Sequence, residues 1–120
     1  MRVHVAFTPA EVERTLTAVV VDVLRATSTV TQALASGYRR VLCCAEVEEA
    51  LQLRARLGEG VLAGERKAVA IPGFDLGNSP LEFTEPLGET LVFTTTNGTR
   101  AILSAAGAAE TVLLGSLLNL

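Results

Sequence analysis

The chain has 120 residues, enough for one domain with a core, and its 49% hydrophobic and 19% charged residues are typical of a globular protein. The formal net charge of −3 argues against a nucleic-acid partner, because phosphate-backbone binding needs a clustered excess of lysine and arginine. No apolar run resembles a signal peptide or approaches the length of a membrane span, so we expect a cytoplasmic protein without membrane contact.

Apolar runs and short amphipathic segments alternate along the first half of the chain. The elements predicted in this half are a strand over 2–7, a strand over 18–24, a helix over 27–36, a strand over 40–44 and a helix over 46–57. Gly37 is expected to end the first helix, since glycine commonly follows a helix C-terminus. The second helix carries acidic residues in its first turn and arginines in its last, which suits the helix dipole.

A long polar loop divides the second half of the chain. A short strand over 61–63 leads into this loop, which reaches residue 80 and is dense in turn-forming residues. Connections of this length are usually functional or disordered, and we favour function. The elements predicted after the loop are a strand over 90–95, a helix from Thr99 to about Ala106, a stop at Gly107 and a strand over 111–115. Thr99 is expected to cap its helix.

Strands that alternate with helices, each strand nearly continuously apolar, predict a single α/β domain whose mainly parallel sheet is covered on both faces. The carboxyl ends of parallel strands lie along one edge, so the polar residues after Val21, Ala63 and Phe93 predict a ligand site there. The chain stops on apolar residues just after a predicted strand, which we interpret as a truncation. Uncovered apolar surface is then expected to favour a homo-oligomer or association with the remaining polypeptide.

Three acidic residues lie at predicted strand ends or in the central loop, where oxygen ligands for Mg²⁺ are typically supplied: Asp22, Glu65 and Asp75. A role as a cap or an ion-pair partner explains any one of them at least as well. Asp22 favours function, because apolar residues flank it on both sides and burial without a strong partner is costly. Asp75 is the least specific, since aspartate before Leu-Gly is ordinary in turns.

Arg25, Arg66 and Arg100 each follow a predicted strand end and form a candidate clamp for a dianionic group. One such arginine is usually solvated or ion-paired, but three at equivalent positions favour an anion site. Hydroxyl, amide and glycine residues near the same strand ends are candidate substrate ligands: Thr27, Ser28, Asn78, Ser79, Thr95, Asn97, Gly98 and Thr99. Ser79 also has capping-box spacing to Glu82, so a structural role competes with ligand binding at this residue.

Several enzyme classes are excluded by missing residues. His4 is the only histidine, which excludes histidine phosphatases, histidine-rich zinc hydrolases and a complete Ser-His-Asp triad within these residues. The adjacent Cys43 and Cys44 fit packed thiols, since neither has the arginine of a cysteine phosphatase loop or a zinc-site spacing. Leu24 stands where a haloacid dehalogenase-type phosphatase carries a second aspartate. No Walker loop or dinucleotide glycine motif is present.

Four segments in the same order make the chain resemble the 2-phosphosulfolactate phosphatase family. These segments are 20–29, 64–66, 73–80 and 94–100. The resemblance implies a three-layer α/β/α fold and Mg²⁺-dependent hydrolysis of the phosphate ester of a sulfonated lactate, a step toward coenzyme M. Family chains are longer than this one, so the resemblance also implies that a carboxyl-terminal part is missing.

The sequence therefore predicts a Mg²⁺-dependent phosphatase for a small anionic phosphoester. Asp22 and Glu65 are expected to hold the metal, and whether Asp22 is instead the nucleophile stays open. Arg25, Arg66 and Arg100 are expected to bind phosphate or sulfonate. The alternative is a module that binds a phosphorylated or sulfonated metabolite without turning it over, which metal dependence would distinguish from the enzyme.

Overall fold

The structure is a computed structural model and describes residues 1–120. Six strands and three helices follow one another as β1 (Thr15–Val21), α1 (Ala26–Ser36), β2 (Arg40–Cys43), α2 (Val47–Leu57), β3 (Val61–Arg66), β4 (Val69–Ala70), β5 (Thr90–Thr94), α3 (Gly98–Ala108) and β6 (Ala109–Gly115). Two short 3₁₀ turns cover Pro9–Glu11 and Pro80–Glu82. No helix has the length and apolar character needed to cross a bilayer.

The strands pair mainly in parallel, as the sequence predicts for an α/β fold, but they form two sheets. The larger sheet has the order β2-β5-β3-β4, with β2, β5 and β3 parallel and the short β4 antiparallel to β3. The smaller sheet contains β1 and β6, which are parallel. Helices α1 and α3 contact strands of both sheets, so they join the two sheets side by side.

Helices cover both faces of the larger sheet. Neighbouring residues of a strand point to opposite sides, so its apolar strands present buried side chains to both faces. Leu62 and Val92 are fully buried on one face, against Ala50 of α2. The opposite face has its own core, which includes residues of α1 and the residue that follows the second 3₁₀ turn: Ala26, Val30, Ala33, Tyr38, Val61, Ala63, Phe83, Leu91 and Phe93. These α/β/α layers confirm the predicted fold class.

The smaller sheet is covered on one face. Val20 is buried and Leu114 packs against the core, whereas their neighbours Val19, Val21 and Leu113 are exposed. Adjacent strand residues face opposite ways, so these three apolar side chains share the open face.

The prediction of a strand over 2–7 is wrong. These residues have no regular structure and are exposed, and no ladder partner is available to satisfy their backbone groups. The predicted strand over 18–24 instead begins at Thr15 and ends at Val21, before the loop that leads into α1.

Two boundaries in the second half also differ from the prediction. Helix α3 begins at Gly98, before the expected cap Thr99, and continues through the expected stop Gly107 to Ala108. Strand β3 extends into the predicted polar loop and turns back as β4, so part of that loop is a hairpin. A two-residue turn, Lys67 and Ala68, joins the two strands of the hairpin.

Candidate active site

A cavity of about 270 Å³ opens where β1, β3 and β5 end, at the edge that the alternation of strands and helices predicts. Six of its lining residues are candidates named from the sequence: Asp22, Arg25, Glu65, Asn78, Asn97 and Gly98. Four others were not predicted: Leu24, Lys67, Ala68 and Thr96. The cavity therefore contains two carboxylates, two cationic side chains and several polar groups, contributed by segments far apart in the sequence.

The loop after β1 is fixed by buried hydroxyl groups of α1. Thr27 Oγ1 accepts the Asp22 N–H at 3.0 Å and donates to the Gly115 carbonyl oxygen of β6 at 2.8 Å. Ser28 Oγ donates to the Val23 carbonyl oxygen at 2.8 Å. Thr27 and Ser28 do not line the cavity, and their hydroxyl groups hold the loop that presents Asp22 and Arg25 to it.

Glu65 is a buried carboxylate with neighbours that favour its charged form; its residue is only 7% exposed. Oε1 accepts the Thr96 N–H at 2.7 Å, and Oε2 accepts the Ala68 N–H at 2.7 Å and the Thr96 hydroxyl at 3.0 Å. Burial raises the pKa of Glu65, but these hydrogen bonds and the Arg66 charge outweigh it, so the net pKa is lowered. Glu65 is therefore ionised at neutral pH.

Asn78 lines the cavity and has a buried side-chain oxygen without a hydrogen-bond partner. Its loop lies along β3, where the Asp75 and Leu76 N–H groups both donate to the Leu62 carbonyl oxygen. Asn78 is 6% exposed, and its side-chain Oδ1 is buried without a hydrogen-bond partner. A buried carbonyl oxygen left unpaired is costly, so this atom is well suited to a ligand.

The segment after β5 is arranged mainly by its threonines. The Thr95 and Thr99 side chains exchange hydrogen bonds with each other's backbone N–H groups, at 3.0 and 3.1 Å. Both residues are buried and lie outside the cavity lining. They fix the turn that brings Asn97 and Gly98 to the cavity, where Gly98 lies against Ala26 and Asp22.

Three charged candidates lie outside the cavity and have partners of their own. Arg66 donates to the Glu65 and Ala45 carbonyl oxygens and to Thr94 Oγ1. Arg100 forms an ion pair with Glu46 at the start of α2. Asp75 accepts the Leu62 N–H at 2.8 Å and lies 3.5 Å from Arg54.

The predicted clamp of three arginines is therefore not assembled, and Arg25 alone of the three reaches the cavity. Ser79 also lies outside the cavity lining, and its N–H donates to the Glu82 carboxylate at 3.1 Å. That contact belongs to the structural role that capping-box spacing predicts for Ser79.

The oxygens at the cavity fit a magnesium ion better than a softer metal. No group of three His, Cys, Asp or Glu residues is placed to bind a metal. Asp22, Glu65 and the unpartnered Asn78 Oδ1 provide oxygen donors only. Mg²⁺ usually binds one or two carboxylates and keeps several waters, whereas structural zinc prefers nitrogen and sulfur ligands.

Several known proteins are similar to this chain along most of its length. The family model for 2-phosphosulpholactate phosphatase matches residues 5–120. A probable 2-phosphosulfolactate phosphatase of Clostridium acetobutylicum is 52% identical over 106 residues, 86% of this chain and 45% of the relative. Proteins with the same name from Carboxydothermus hydrogenoformans and Symbiobacterium thermophilum are 39% and 52% identical, over 99% and 92% of this chain. The matches cover 50% and 49% of those two relatives, so the chain spans about half their length.

Proposed function

The chain belongs to the 2-phosphosulfolactate phosphatase family, and we propose that its protein hydrolyses 2-phosphosulfolactate to sulfolactate and phosphate with the help of Mg²⁺. The resemblance inferred from the four sequence segments is thus confirmed at the level of the family. The observation that carries the proposal is that Asp22, Glu65 and Asn78 line one cavity together with Arg25.

Asp22, Glu65 and Asn78 are the proposed metal-binding residues. When bound, Mg²⁺ neutralises charge on the phosphoryl oxygens and polarises the phosphorus for attack. Glu65 is held in its charged form by hydrogen bonds from the Thr96 and Ala68 N–H groups, so it needs no proton loss to accept a cation. Asn78 Oδ1 gains the partner that it lacks within the chain.

Arg25 is the proposed phosphate-binding cation. It lies at the start of α1, and none of the ion pairs within the chain includes it. The planar guanidinium group matches two phosphate oxygens at once and remains charged throughout the reaction. The adjacent N-terminus of α3 at Gly98 adds the favourable end of a helix dipole.

The reaction itself needs positioning and charge stabilisation more than covalent chemistry by the protein. A water oxygen attacks phosphorus, the ester P–O bond breaks, and the leaving oxygen takes up the proton that the water gives up. Asp22, which lines the same cavity as Arg25, is suited to orient that water. If Asp22 itself attacked phosphorus, an acid quench during turnover would trap a phosphorylated Asp22.

The test is phosphate release from 2-phosphosulfolactate and a panel of small phosphoesters, with Mg²⁺ and with a chelator, by the complete natural polypeptide that contains this chain. We expect Asp22→Asn to lower turnover at least about a hundredfold, the scale for losing a key charge-stabilising group. Glu48→Gln on exposed α2 is the matched control, because it removes the same charge away from the cavity. Binding of the phosphoester with the metal chelated and without phosphate release would favour the metabolite-binding module instead.

A further inference from the structure

The hairpin turn at the cavity has an unusual conformation for its residues. Lys67 and Ala68 have φ values of 51° and 63°, in the left-handed region. A two-residue turn between paired strands favours this geometry, but Asn-Gly is the usual sequence because other residues are disfavoured there. Two such non-glycine residues are strained relative to glycine. Hairpin geometry therefore accounts for the backbone, but it gives no reason for a lysine at this position.

The turn is held by residues of the candidate active site. The Lys67 N–H donates to Thr96 Oγ1 at 2.9 Å, and the Ala68 N–H donates to Glu65 Oε2 at 2.7 Å. Thr96 Oγ1 in turn donates to the same Glu65 oxygen at 3.0 Å. The turn that carries Lys67 is thus tied to the Glu65 carboxylate, which lines the same cavity.

Lys67 is free to bind an external anion. It is the only lysine of the chain, it is exposed, and it lines the cavity. None of the six ion pairs of the chain includes it. The cavity therefore has two cations without carboxylate partners, Arg25 after β1 and Lys67 after β3, carried by different sheets.

We propose that Lys67 determines substrate specificity by binding an oxyanion of the substrate other than the phosphoryl group. This inference rests on the proposed function, in which Arg25 binds the phosphoryl group. A planar guanidinium suits paired phosphate oxygens, whereas a flexible ammonium contacts any oxyanion as a point charge. Besides its phosphoryl group, 2-phosphosulfolactate carries two oxyanions, a sulfonate and a carboxylate. Analogues that lack one of them show which of the two Lys67 binds.

The experiment compares Lys67→Gln with the wild type on three phosphoesters. These are 2-phosphosulfolactate, 2-phospholactate without the sulfonate, and 2-sulfoethyl phosphate without the carboxylate. We expect Lys67→Gln to raise KM for 2-phosphosulfolactate at least about tenfold, on the scale of one charge-assisted contact, with a smaller change in kcat. If the variant and the wild type have equal KM values for one analogue, the oxyanion missing from that analogue is the one that Lys67 binds.

Two further variants serve as controls. Lys67→Arg keeps the charge and should restore most of the affinity. Arg56→Gln removes an exposed cation of α2 outside the cavity, and its KM should equal that of the wild type. An equal rise in KM for all three phosphoesters would show that Lys67 acts on the phosphoryl group, and an unchanged KM would show that it binds no part of the substrate. Either result overturns the proposal.

Binding of unphosphorylated sulfolactate separates this proposal from the proposed function. If the wild type releases no phosphate from any of the three compounds, the hydrolytic function fails. Calorimetry with sulfolactate still tests Lys67, because this ligand carries both remaining oxyanions and no phosphate. A loss of about tenfold or more in affinity in Lys67→Gln supports the proposal, while equal affinity, or no binding by the wild type, refutes it.

Discussion

Replacement of Gly98 by alanine should damage both the stability of the fold and the candidate active site. A Cβ atom at this position would lie 2.2 Å from Ala26 Cβ and 2.6 Å from Asp22 Oδ2. The two carbons would have to separate to at least 3.4 Å to reach ordinary contact. Ala26 is fully buried at the start of α1, so this separation displaces a packed helix rather than a flexible side chain.

Gly107 provides the matched control for this substitution. It lies in the same helix, α3, and a Cβ atom there would meet nothing within 4 Å. Gly107→Ala should therefore stabilise the protein by roughly 0.4–1 kcal/mol, because alanine restricts the unfolded chain. Gly98→Ala should lower the free energy of unfolding by roughly 1–3 kcal/mol, the usual cost of overpacking.

Urea unfolding followed by circular dichroism measures the free energy of unfolding of each variant, and phosphate release measures its turnover. A shift of Asp22 by about 1 Å should lower turnover on the order of a hundredfold in Gly98→Ala. Gly107→Ala should keep wild-type turnover. A Gly98→Ala variant that is as stable and as active as Gly107→Ala would refute the close packing of α3 against Asp22 and Ala26.

Two other predictions concern titratable groups. The hydrogen bonds that lower the pKa of Glu65 below 4.5 stabilise the fold above that pH, and this contribution is lost as pH falls through the folded-state pKa. With metal chelated, Glu65→Gln should therefore lower the free energy of unfolding by roughly 1.5–3 kcal/mol at pH 7. The difference between the variant and the wild type should shrink below pH 4.5. A difference that stays constant with pH would contradict this role of the Glu65 charge. Burial and the neighbouring Cys44 raise the pKa of Cys43 from 9.0 to about 11, which lowers its thiolate fraction at pH 8 about a hundredfold. A thiolate of higher pKa is also more nucleophilic, so alkylation by iodoacetamide should be about tenfold slower in the folded than in the unfolded chain. Equal alkylation rates would contradict the burial of Cys43.

The sequence predicted the position of the cavity better than it predicted which side chains enter it. Asp22 and Glu65 follow from a simple rule, because parallel strands bring their carboxyl ends to one edge. Arg66 directly follows Glu65 in β3, and adjacent strand residues point to opposite faces, so both could not enter the same cavity. Arg100 lies two residues beyond Gly98 on α3, about 200° around the helix axis. It is therefore on the side of the helix away from the cavity that Gly98 lines.

Other differences depend on tertiary contacts that local patterns do not contain. Residues 2–7 have an apolar pattern typical of a strand, but strand formation needs a pairing partner elsewhere in the chain. Lys67 was not predicted because Lys-Ala lacks the usual signature of a two-residue hairpin turn. Asn78 was predicted from its loop, whereas its unpartnered oxygen depends on the course of that loop along β3.

The division of the strands into two sheets would give a ligand bound in the cavity a mechanical role. Asp22 and Arg25 follow the smaller sheet, whereas Glu65 lies in β3 and Thr96 follows β5 of the larger sheet, and no backbone ladder connects the two sheets. A ligand that contacts both groups acts as a reversible cross-link, and at a hundred times its Kd it stabilises the joined arrangement by about 2.7 kcal/mol. Without that ligand, only the packing of α1 and α3 holds the two groups of cavity residues together. Heat or denaturant should then abolish turnover while each sheet still keeps its hydrogen bonds.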